Sequence, residues 1–315
     1  MSRSRRQFLT GLAASGAIAA NPLLAHAAAV VFDSSADLAL FGVPQNQGKL
    51  DIKIGYSAIA WNDQDARAID DLSTLGFPGI QLRANAPHDF PDPHALRDLL
   101  AQRHLTFVAL SSGTAPIDPS ARQSTIDTHL ANAKYLHEAG GSYLQIVAAS
   151  SKGKTFSPED YKYEGQLLTE IAQKVADFGI QTSLHNHMGT MAQTPQGLDA
   201  ILDAADPKYV QLELDTAHYL QGGGDPASAV HQYAKQLLFL HLKDVKDAPT
   251  HNGYEFVELG RGRLDFPAVF TALKSIHFRG WGIIELDGEH TGAVRTPIES
   301  AQISKQYLAK QGIRV

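Results

Sequence analysis

The sequence predicts a single α/β domain folded as a (β/α)8 TIM barrel. Eight short apolar segments alternate with eight segments of helical periodicity. Such alternation is typical of a parallel sheet with helices outside, and eight units close into a barrel of about 250 residues. The last four apolar segments each end in His, Asp or Glu. A doubly wound open sheet is the alternative, but it would concentrate its site at one switch point rather than at four strand ends.

The predicted strands and helices follow each other in regular order. The strands cover 53–56, 79–82, 105–110, 143–147, 180–187, 210–214, 237–242 and 281–285. The helices cover 63–75, 93–102, 118–138, 157–178, 195–204, 226–233, 265–275 and the chain from 296 onward. Asp92 before Pro93 fits a helix N-cap, and Ser157 and Asp160 have the spacing of a capping box. Gly179 stands where a helix must end before the next strand.

The stretch from 244 to 263 is polar, and we predict that it is a loop. No hairpin between two strands is expected in the chain, because every predicted strand is followed by a loop or a helix. No domain boundary is evident after residue 50, so residues 51–315 are predicted to form one barrel domain.

Residues 1–27 have the features of an export signal. Arg5 and Arg6 are followed by an apolar stretch at 12–24 and by a small-x-small cleavage site that ends at Ala27. The arginine pair resembles the twin-arginine type, which predicts the twin-arginine export machinery as a partner and a periplasmic location. A membrane anchor is the alternative, but it needs about 20 apolar residues, so we expect no stable anchor. Residues 28–50 show little periodicity and are predicted to be a leader segment.

The composition limits the functions that the chain can have. There is no cysteine, so disulfides and thiolate metal sites are excluded, and any metal must be held by His and carboxylates. The formal net charge is −6, and removal of residues 1–27, which hold three Arg and no acid, changes it to −9. An acidic protein without a run of Lys or Arg is a poor nucleic-acid binder, so no nucleic-acid partner is expected.

Four polar residues end the last four predicted strands: His185, Asp215, His241 and Glu285. Parallel barrels keep their chemistry at the carboxyl ends of the strands, so these side chains should converge. Two imidazoles and two carboxylates suit one divalent ion, which would be Mn, Co, Zn, Fe or Mg. Each residue alone is more often a hydrogen-bonded core residue, but four buried polar groups in one place are costly unless they satisfy each other. We therefore predict a metal site.

Five further residues are candidates for roles beside this site. Glu213 lies two residues before Asp215, and it either orients a ligand imidazole or forms a structural ion pair. Lys243 is predicted to bind a substrate oxyanion, with pairing to Asp244 or a nearby acid as the alternative. His187 and His218 are candidates for proton transfer, although His218 could instead cap a helix or loop. Arg83 is predicted to contact a substrate hydroxyl, with an exposed salt bridge as the alternative.

Several of these stretches resemble the xylose-isomerase-like barrel superfamily of sugar phosphate isomerases and epimerases. The most specific are Leu214-Asp215-Thr216-Ala217-His218, His241-Leu242-Lys243-Asp244, Gly260-x-Gly262-x-x-Asp265-Phe266 and Ile284-Glu285. The resemblance implies that the ends of the fifth to eighth strands supply Glu, Asp, His and Glu to one divalent ion, often manganese. Asp215, His241 and Glu285 match this set directly.

The fifth strand departs from that pattern, because it ends in His185-Asn186-His187 where epimerases of the family have Glu-Asn-His. The run from His185 to Thr190 is similar to the inosose dehydratase branch, which has His-x-His-Met-Gly-Thr. One of the two bases expected on either side of the substrate carbon is therefore missing. Metal binding is not affected by this departure, since imidazole is also a good ligand.

The resemblance and the residues together indicate removal of a proton from the carbon next to a sugar carbonyl. Glu285 is the expected base, with His187 or His218 as the acid. Protonation of a leaving oxygen gives elimination, as in a keto-sugar dehydratase or lyase, whereas return of the proton to carbon gives isomerisation or epimerisation. Because His185 stands where epimerases of the family have a carboxylate, elimination is slightly favoured.

Two functions of other classes are alternatives. One is a non-catalytic periplasmic sugar-binding protein, which metal analysis would distinguish from an enzyme. The other is a metal-dependent endonuclease, which the acidic charge and the export signal oppose. The expected partner of a dehydratase, lyase, isomerase or epimerase is a small sugar or keto-sugar. Homo-oligomerisation is left open.

Overall fold

The computed structural model describes residues 50–287 and 295–315, and the predicted fold class is confirmed. Eight parallel strands close into a barrel in the order β1-β10-β7-β6-β5-β4-β3-β2. These strands are β1 (Asp51–Ser57), β2 (Gly79–Arg83), β3 (Thr106–Ala115), β4 (Tyr143–Ala148), β5 (Gln181–His185), β6 (Val210–Asp215), β7 (Leu237–Leu242) and β10 (Arg279–Ile284). The predicted export signal and leader lie outside the described residues, except for Leu50.

Helices lie between the barrel strands and after the last one. They are α1 (Asp65–Leu75), α2 (Ala86–Asp89), α3 (Pro93–Gln102), α4 (Arg122–Glu138), α5 (Pro158–Ala176), α6 (Pro195–Ala204), α7 (Thr216–Gln221), α8 (Pro226–Gln232), α9 (Phe266–Ser275) and α10 (Pro297–Lys310). Two short 3-10 helices cover Ala58–Trp61 and Pro119–Ala121. None of the helices in the described residues is long and apolar enough to span a membrane.

Several helices begin in the same way, with a capping side chain followed by proline. The side chains of Asp92, Thr194 and Asp225 each accept backbone N–H groups of the first turn. Ser157 and Asp160 form the predicted capping box at the start of α5. Proline at the first helical position lacks only an N–H that the helix would leave unpaired. These local signals explain why most helix starts could be predicted closely.

The barrel interior changes from apolar to polar along its axis. Val108, Phe239, Trp281 and Ile283 form a buried apolar cluster at one level, and the ring of Tyr143 stacks on Phe239 at 5.2 Å. Further along the strands, the inward positions are polar: Gln81, Gln145, Ser183 and Glu213 are all buried. Because side chains alternate along a strand, these polar groups lie on the barrel side of the sheet and leave the outer face to the helices.

The segment predicted as a plain loop contains an antiparallel hairpin, so the prediction of no strand–strand hairpin is wrong here. Strand β8 (Asp244–Asp247) pairs with β9 (Tyr254–Val257), and Lys246 and Glu255 form a cross-strand ion pair at 2.6 Å. Each strand has only four residues, which is too short for alternation to distinguish a strand from a polar loop.

Asp244 organises the chain that follows the hairpin. Its carboxylate accepts four backbone N–H groups, from Val245, Gly260, Gly262 and Leu264, at 2.9 to 3.2 Å. A side chain at Gly262 would collide with this carboxylate, because its Cβ would lie 2.1 Å from Asp244 Oδ1. The Gly-x-Gly stretch is therefore explained by close approach of the backbone to Asp244.

Two smaller differences from the predicted elements lie at the same end of the barrel. Helix α7 begins directly after β6, with Asp215 as its N-cap, so His218 lies within a helix and does not cap one. Strand β5 ends at His185, so Asn186 and His187 lie just beyond it.

Glu164 of α5 predicts a pH dependence of stability. Its side chain is fully buried, Ala149 N donates to Oε1 at 3.2 Å, and Oε2 has no hydrogen-bond partner among the described residues. Burial raises the pKa of Glu164 to about 8. The folded state therefore keeps a proton that the unfolded state releases, and stability should fall as pH rises from about 4.5 to 8, by up to about 1.4 kcal/mol per pH unit.

The variant Glu164→Gln should remove this loss and be more stable than the wild type at pH 9. Urea unfolding at pH 5, 7 and 9 measures the difference. The same substitution at the exposed Glu159 is the control and should leave the pH profile unchanged. Parallel profiles for Glu164→Gln and the wild type would contradict the expected protonation of Glu164.

Candidate metal centre and active site

Four neighbouring strands each bring a pair of polar residues to the carboxyl end of the barrel. The two members of a pair are two residues apart, so they point to the same side of the sheet. The pairs are His185 and His187, Glu213 and Asp215, His241 and Lys243, and Glu285 and Asp287. This arrangement gives three levels: Glu213 lies below, the four predicted metal ligands lie in the middle, and His187, Lys243 and Asp287 lie above.

The structure brings the four predicted metal ligands together. His185, Asp215, His241 and Glu285 each offer one ligand atom, and these atoms all lie within 4.8 Å of one another. His241 Nδ1 is 3.3 Å from Glu285 Oε1 and 3.7 Å from Asp215 Oδ2. All four side chains are buried.

Unpaired atoms in this cluster fit a bound cation. Asp215 Oδ2 and His241 Nδ1 are buried and have no hydrogen-bond partner within the described part of the chain. His185 Nδ1 also makes no hydrogen bond, although Glu213 Oε1 lies 3.2 Å away. Buried polar atoms without partners are costly, and coordination of one ion would satisfy Asp215 Oδ2 and His241 Nδ1 at once. Nitrogen and oxygen donors in this number suit zinc, manganese, cobalt or iron.

A second group of three imidazoles, from His185, His187 and His218, also has ligand atoms within 4.8 Å of one another. It shares His185 with the first cluster and contains no carboxylate. The ammonium group of Lys243 lies 3.1 Å from His218 Nε2, and no carboxylate within this group offsets its charge, whereas Asp215 and Glu285 offset it in the first cluster. The four-residue cluster is therefore the better candidate for the metal centre.

Short local contacts hold Asp215 in place. Its Oδ1 accepts the backbone N–H of His218 at 2.8 Å, which caps α7 and leaves Oδ2 facing the cluster. Asn186 clamps the same strand end, since its Oδ1 accepts Asp215 N at 2.8 Å and its Nδ2 donates to Asp215 O at 3.1 Å. No role was predicted for Asn186, and its position between His185 and His187 was the available signal.

Below the cluster lies a chain of hydrogen bonds in the barrel interior. Glu213 Oε1 is 2.7 Å from His241 Nε2, and Gln145 Nε2 donates to the same oxygen at 3.2 Å. Gln81 Nε2 donates to Gln145 Oε1 at 2.9 Å, and Gln81 Oε1 is 2.9 Å from His241 Nε2. Glu213 and Gln81 thus fix the Nε2 edge of the His241 ring, which leaves Nδ1 for the cluster.

Lys243 is fully buried among acids above the cluster. Its Nζ donates to Glu285 Oε1 at 2.9 Å and lies 2.8 Å from Asp287 Oδ2 and 3.7 Å from Asp215 Oδ2. Lys243 therefore pairs with nearby acids, whereas Asp244, which was one suggested partner, accepts backbone N–H groups of the segment that follows it. Asp287 was not predicted as part of the site, although its spacing of two residues from Glu285 was a usable signal.

His218, His187 and Phe256 complete the upper level. The rings of His187 and His218 lie 3.9 Å apart between centroids, and Met188 N donates to His218 Nδ1 at 3.3 Å. Phe256 of the hairpin lies 4.9 Å from the His218 ring and 4.4 Å from Lys243 Nζ. The hairpin therefore covers the charged groups with an aromatic side chain.

Arg83 is not brought into this group. It ends β2 as predicted, but its Nη1 donates to Asp63 Oδ1 at 2.6 Å, and both side chains are exposed. Within the described residues, Arg83 makes no hydrogen bond or ion pair with the four cluster residues. This is the exposed salt bridge that was the alternative reading, and contact of Arg83 with a substrate stays a prediction.

The charges of the cluster shift the pKa values of its members strongly. Burial alone would raise the pKa of Glu285, but His241 and Lys243 outweigh it and hold that pKa well below its ordinary value. Burial opposes a charge on His241, yet Glu213 and Glu285 raise its pKa well above the ordinary value. Perturbed titratable groups clustered at one end of a barrel are typical of functional sites.

The fold and these residues define a parallel barrel with a candidate metal centre at the end where barrel enzymes keep their active sites. The chain belongs to the xylose isomerase-like TIM barrel family, whose model matches residues 69–311. The resemblance noted in the sequence is thereby confirmed.

Known proteins of this kind are similar over most of their length. An inosose dehydratase of Lacticaseibacillus casei (strain BL23) is 25% identical over 299 residues, which cover 82% of this chain and 96% of the relative. An inosose dehydratase of Geobacillus kaustophilus (strain HTA426) is 26% identical, covering 81% and 93%. Among solved structures, the IolI protein with a bound zinc atom matches with a TM-score of 0.70 at 19% identity, covering 82% and 97%. A D-tagatose 3-epimerase-like protein matches with a TM-score of 0.67 at 19% identity, covering 83% and 98%.

The geometry predicts that Asp215 and His241 are needed for metal binding. In Asp215→Ala and His241→Ala, metal affinity should fall by more than roughly 10–100-fold. That range is typical of removing only a residue that hydrogen-bonds to a metal ligand. Asp215→Asn should also lose metal, because it keeps a capping oxygen for α7 but not the charge. Elemental analysis and titration calorimetry measure occupancy and affinity.

The exposed residues Asp203 and His231, each changed to Ala, are the controls for these variants. Full metal occupancy in both Asp215→Ala and His241→Ala would show that the assigned centre is wrong.

Proposed function

We propose that this protein is a divalent-metal-dependent enzyme that removes a proton from the carbon next to a sugar carbonyl. The observation that carries the proposal is the buried four-residue cluster, with unpaired ligand atoms and with His187, His218 and Lys243 directly above it. We propose elimination from a keto-sugar, as in a dehydratase or lyase, ahead of isomerisation or epimerisation.

The similar inosose dehydratases support elimination, since their names describe loss of water from a cyclic keto-sugar alcohol. The D-tagatose 3-epimerase-like structure shares the fold alone at its level of identity, so epimerisation is the second choice. The metal identity and the particular sugar are not part of the proposal.

A divalent ion held by His185, Asp215, His241 and Glu285 would act as a Lewis acid on the substrate carbonyl and an adjacent hydroxyl. The chain's own residues then have to move two protons. Glu285 is the proposed base, and His187 or His218 is the proposed acid that protonates the leaving oxygen.

The hydrogen bonds of His187 make it the second candidate for the base. Its Nδ1 lies 2.6 Å from Met188 O, a contact that requires a proton on Nδ1 and leaves the lone pair on Nε2. Burial, followed by the charge of His185, lowers the pKa of His187, so its ring is mostly neutral at pH 7. Glu285, by contrast, is held as a carboxylate by His241 and Lys243, which weakens it as a base.

A non-catalytic sugar-binding protein and a metal-dependent endonuclease are the remaining alternatives. A purified protein that binds sugar and no metal would support the binding protein. Metal-dependent cleavage of DNA containing an abasic site would support the endonuclease, which the acidic charge of the chain opposes.

The variant Glu285→Gln tests the role of the base. Glutamine keeps the shape and one neutral oxygen donor but loses basicity. With metal saturating, turnover should fall by at least the roughly hundredfold that is typical of losing a general base. Exchange of the substrate proton with heavy water, followed by NMR over a panel of keto-sugars and ketoses, should disappear with turnover.

His187→Gln is the matched variant for this test. Exchange that persists in metal-loaded Glu285→Gln but disappears in His187→Gln would assign the base to His187 and leave Glu285 with coordination alone. The products of the same reactions distinguish elimination from isomerisation.

We also propose that the protein is exported to the periplasm by the twin-arginine machinery, on the basis of residues 1–27. Changing Arg5 and Arg6 together to Lys should leave the precursor in the cytoplasm, because the paired guanidinium groups are what the receptor recognises. Cell fractionation with immunoblotting measures this, and Arg3→Lys is the control. A normal periplasmic yield of the double variant would rule out this export route.

A further inference from the structure

Glu213 is buried at the centre of the barrel, directly behind two of the four candidate ligands. Its Oε1 lies 2.7 Å from His241 Nε2 and 3.2 Å from His185 Nδ1. Both imidazoles belong to the four-residue cluster, and they come from different strands, β7 and β5. One carboxylate oxygen therefore approaches two ligand rings at once.

The other contacts of Glu213 are neutral. Gln145 Nε2 donates to Oε1 at 3.2 Å, and Ser183 Oγ donates to Oε2 at 3.4 Å. Within the described residues, no Lys or Arg forms an ion pair with Glu213. A fully buried carboxylate requires compensating charge or several strong donors. The imidazoles of His185 and His241 are the groups that supply this compensation. They therefore explain why Glu213 can be buried at this position.

The contact with His241 also determines which ring nitrogen is free. His241 Nε2 lies 2.9 Å from Gln81 Oε1 and 2.7 Å from Glu213 Oε1, and both oxygens only accept hydrogen bonds, so Nε2 carries the proton. The lone pair then lies on Nδ1, the atom that is buried, unpaired and directed at Asp215 and Glu285. A ring that donates from one nitrogen to a carboxylate is a better ligand through the other nitrogen.

We propose that Glu213 is a positioning residue for the metal centre, which holds His241 and His185 in the orientation that binds the ion. This inference rests on the proposed metal dependence. Glu213 also adds a negative charge next to the ligand set. His185, as an imidazole, contributes no negative charge to that set. It acts through the two imidazoles and does not touch the substrate.

The variant Glu213→Gln tests the proposal by metal binding alone. Mn²⁺ and Co²⁺ are titrated into the metal-free protein by calorimetry, without substrate, and the visible spectrum of the Co²⁺ form reports the ligand geometry. Affinity should fall about 10–100-fold, and the Co²⁺ spectrum should change. Glu164→Gln is the control, because it changes another fully buried glutamate that lies outside the cluster, and its affinity should equal that of the wild type.

An exchanged pair provides a second measurement. In His185→Glu combined with Glu213→Gln, the carboxylate moves from behind the ligands into the ligand set, and the glutamine can donate to it and accept from His241. Affinity should return to within about threefold of the wild type, whereas His185→Glu alone should bind poorly because two carboxylates then face each other. If Glu213→Gln does not fold, as measured by thermal unfolding without metal, the exchanged pair decides the question.

The outcomes separate this inference from the proposed function. A wild type that binds neither ion contradicts the metal dependence itself. A wild type that binds, together with Glu213→Gln of equal affinity and unchanged Co²⁺ spectrum, shows that Glu213 is only a structural group. Loss of affinity in Glu213→Gln with recovery in the exchanged pair supports the positioning role. A folded exchanged pair that binds at least tenfold more weakly than the wild type overturns it.

Discussion

Lys243 is fully buried, and its ammonium group lies within 3.7 Å of the carboxylates of Asp215, Glu285 and Asp287. Burying one unpaired charge costs several kcal/mol, so neither the lysine nor the carboxylates can occupy this space alone. The burial of each group depends on the others, and together they fix the ends of β6, β7 and β10. The mouth of the barrel is therefore held together by mutual charge compensation, with the apolar core confined to the levels around and below it.

The hairpin β8–β9 maintains the environment that these charges need. Four backbone amides converge on Asp244 and hold the chain from Val245 to Leu264, which places Phe256 against Lys243 and His218. An aromatic cover that excludes water strengthens every electrostatic interaction beneath it. Among the residues that the structure describes, Asp244 forms no hydrogen bond or ion pair with the four-residue cluster, yet it determines where the cover lies.

The fold and the convergence of the four-residue cluster could be predicted because both depend on local patterns. Strand alternation shows which residues share the barrel side, and the position of Asp215 or Glu285 at a strand end is visible in the sequence. The parts of the site that could not be predicted depend on contacts between segments that are distant in the sequence. Gln81 meets His241 across 160 positions, and Lys243 meets Asp287 only because β7 and β10 are neighbours in the barrel. The hairpin was missed because its two strands have four residues each, too few for alternation to distinguish them from a polar loop.

His187 and His218, the two histidines of the upper level, differ in how readily each can hold a proton. Their rings are 3.9 Å apart, so simultaneous protonation of both would place two positive charges in contact. His218 is buried, and burial together with Lys243 lowers its pKa well below the ordinary value, whereas His187 is only half-buried. A proton added to the pair should therefore reside on His187, which can exchange it with solvent. A neutral His218 ring has one lone pair, so it can accept a hydrogen bond from Met188 N or from Lys243 Nζ but not from both, and its other nitrogen keeps the only ring proton.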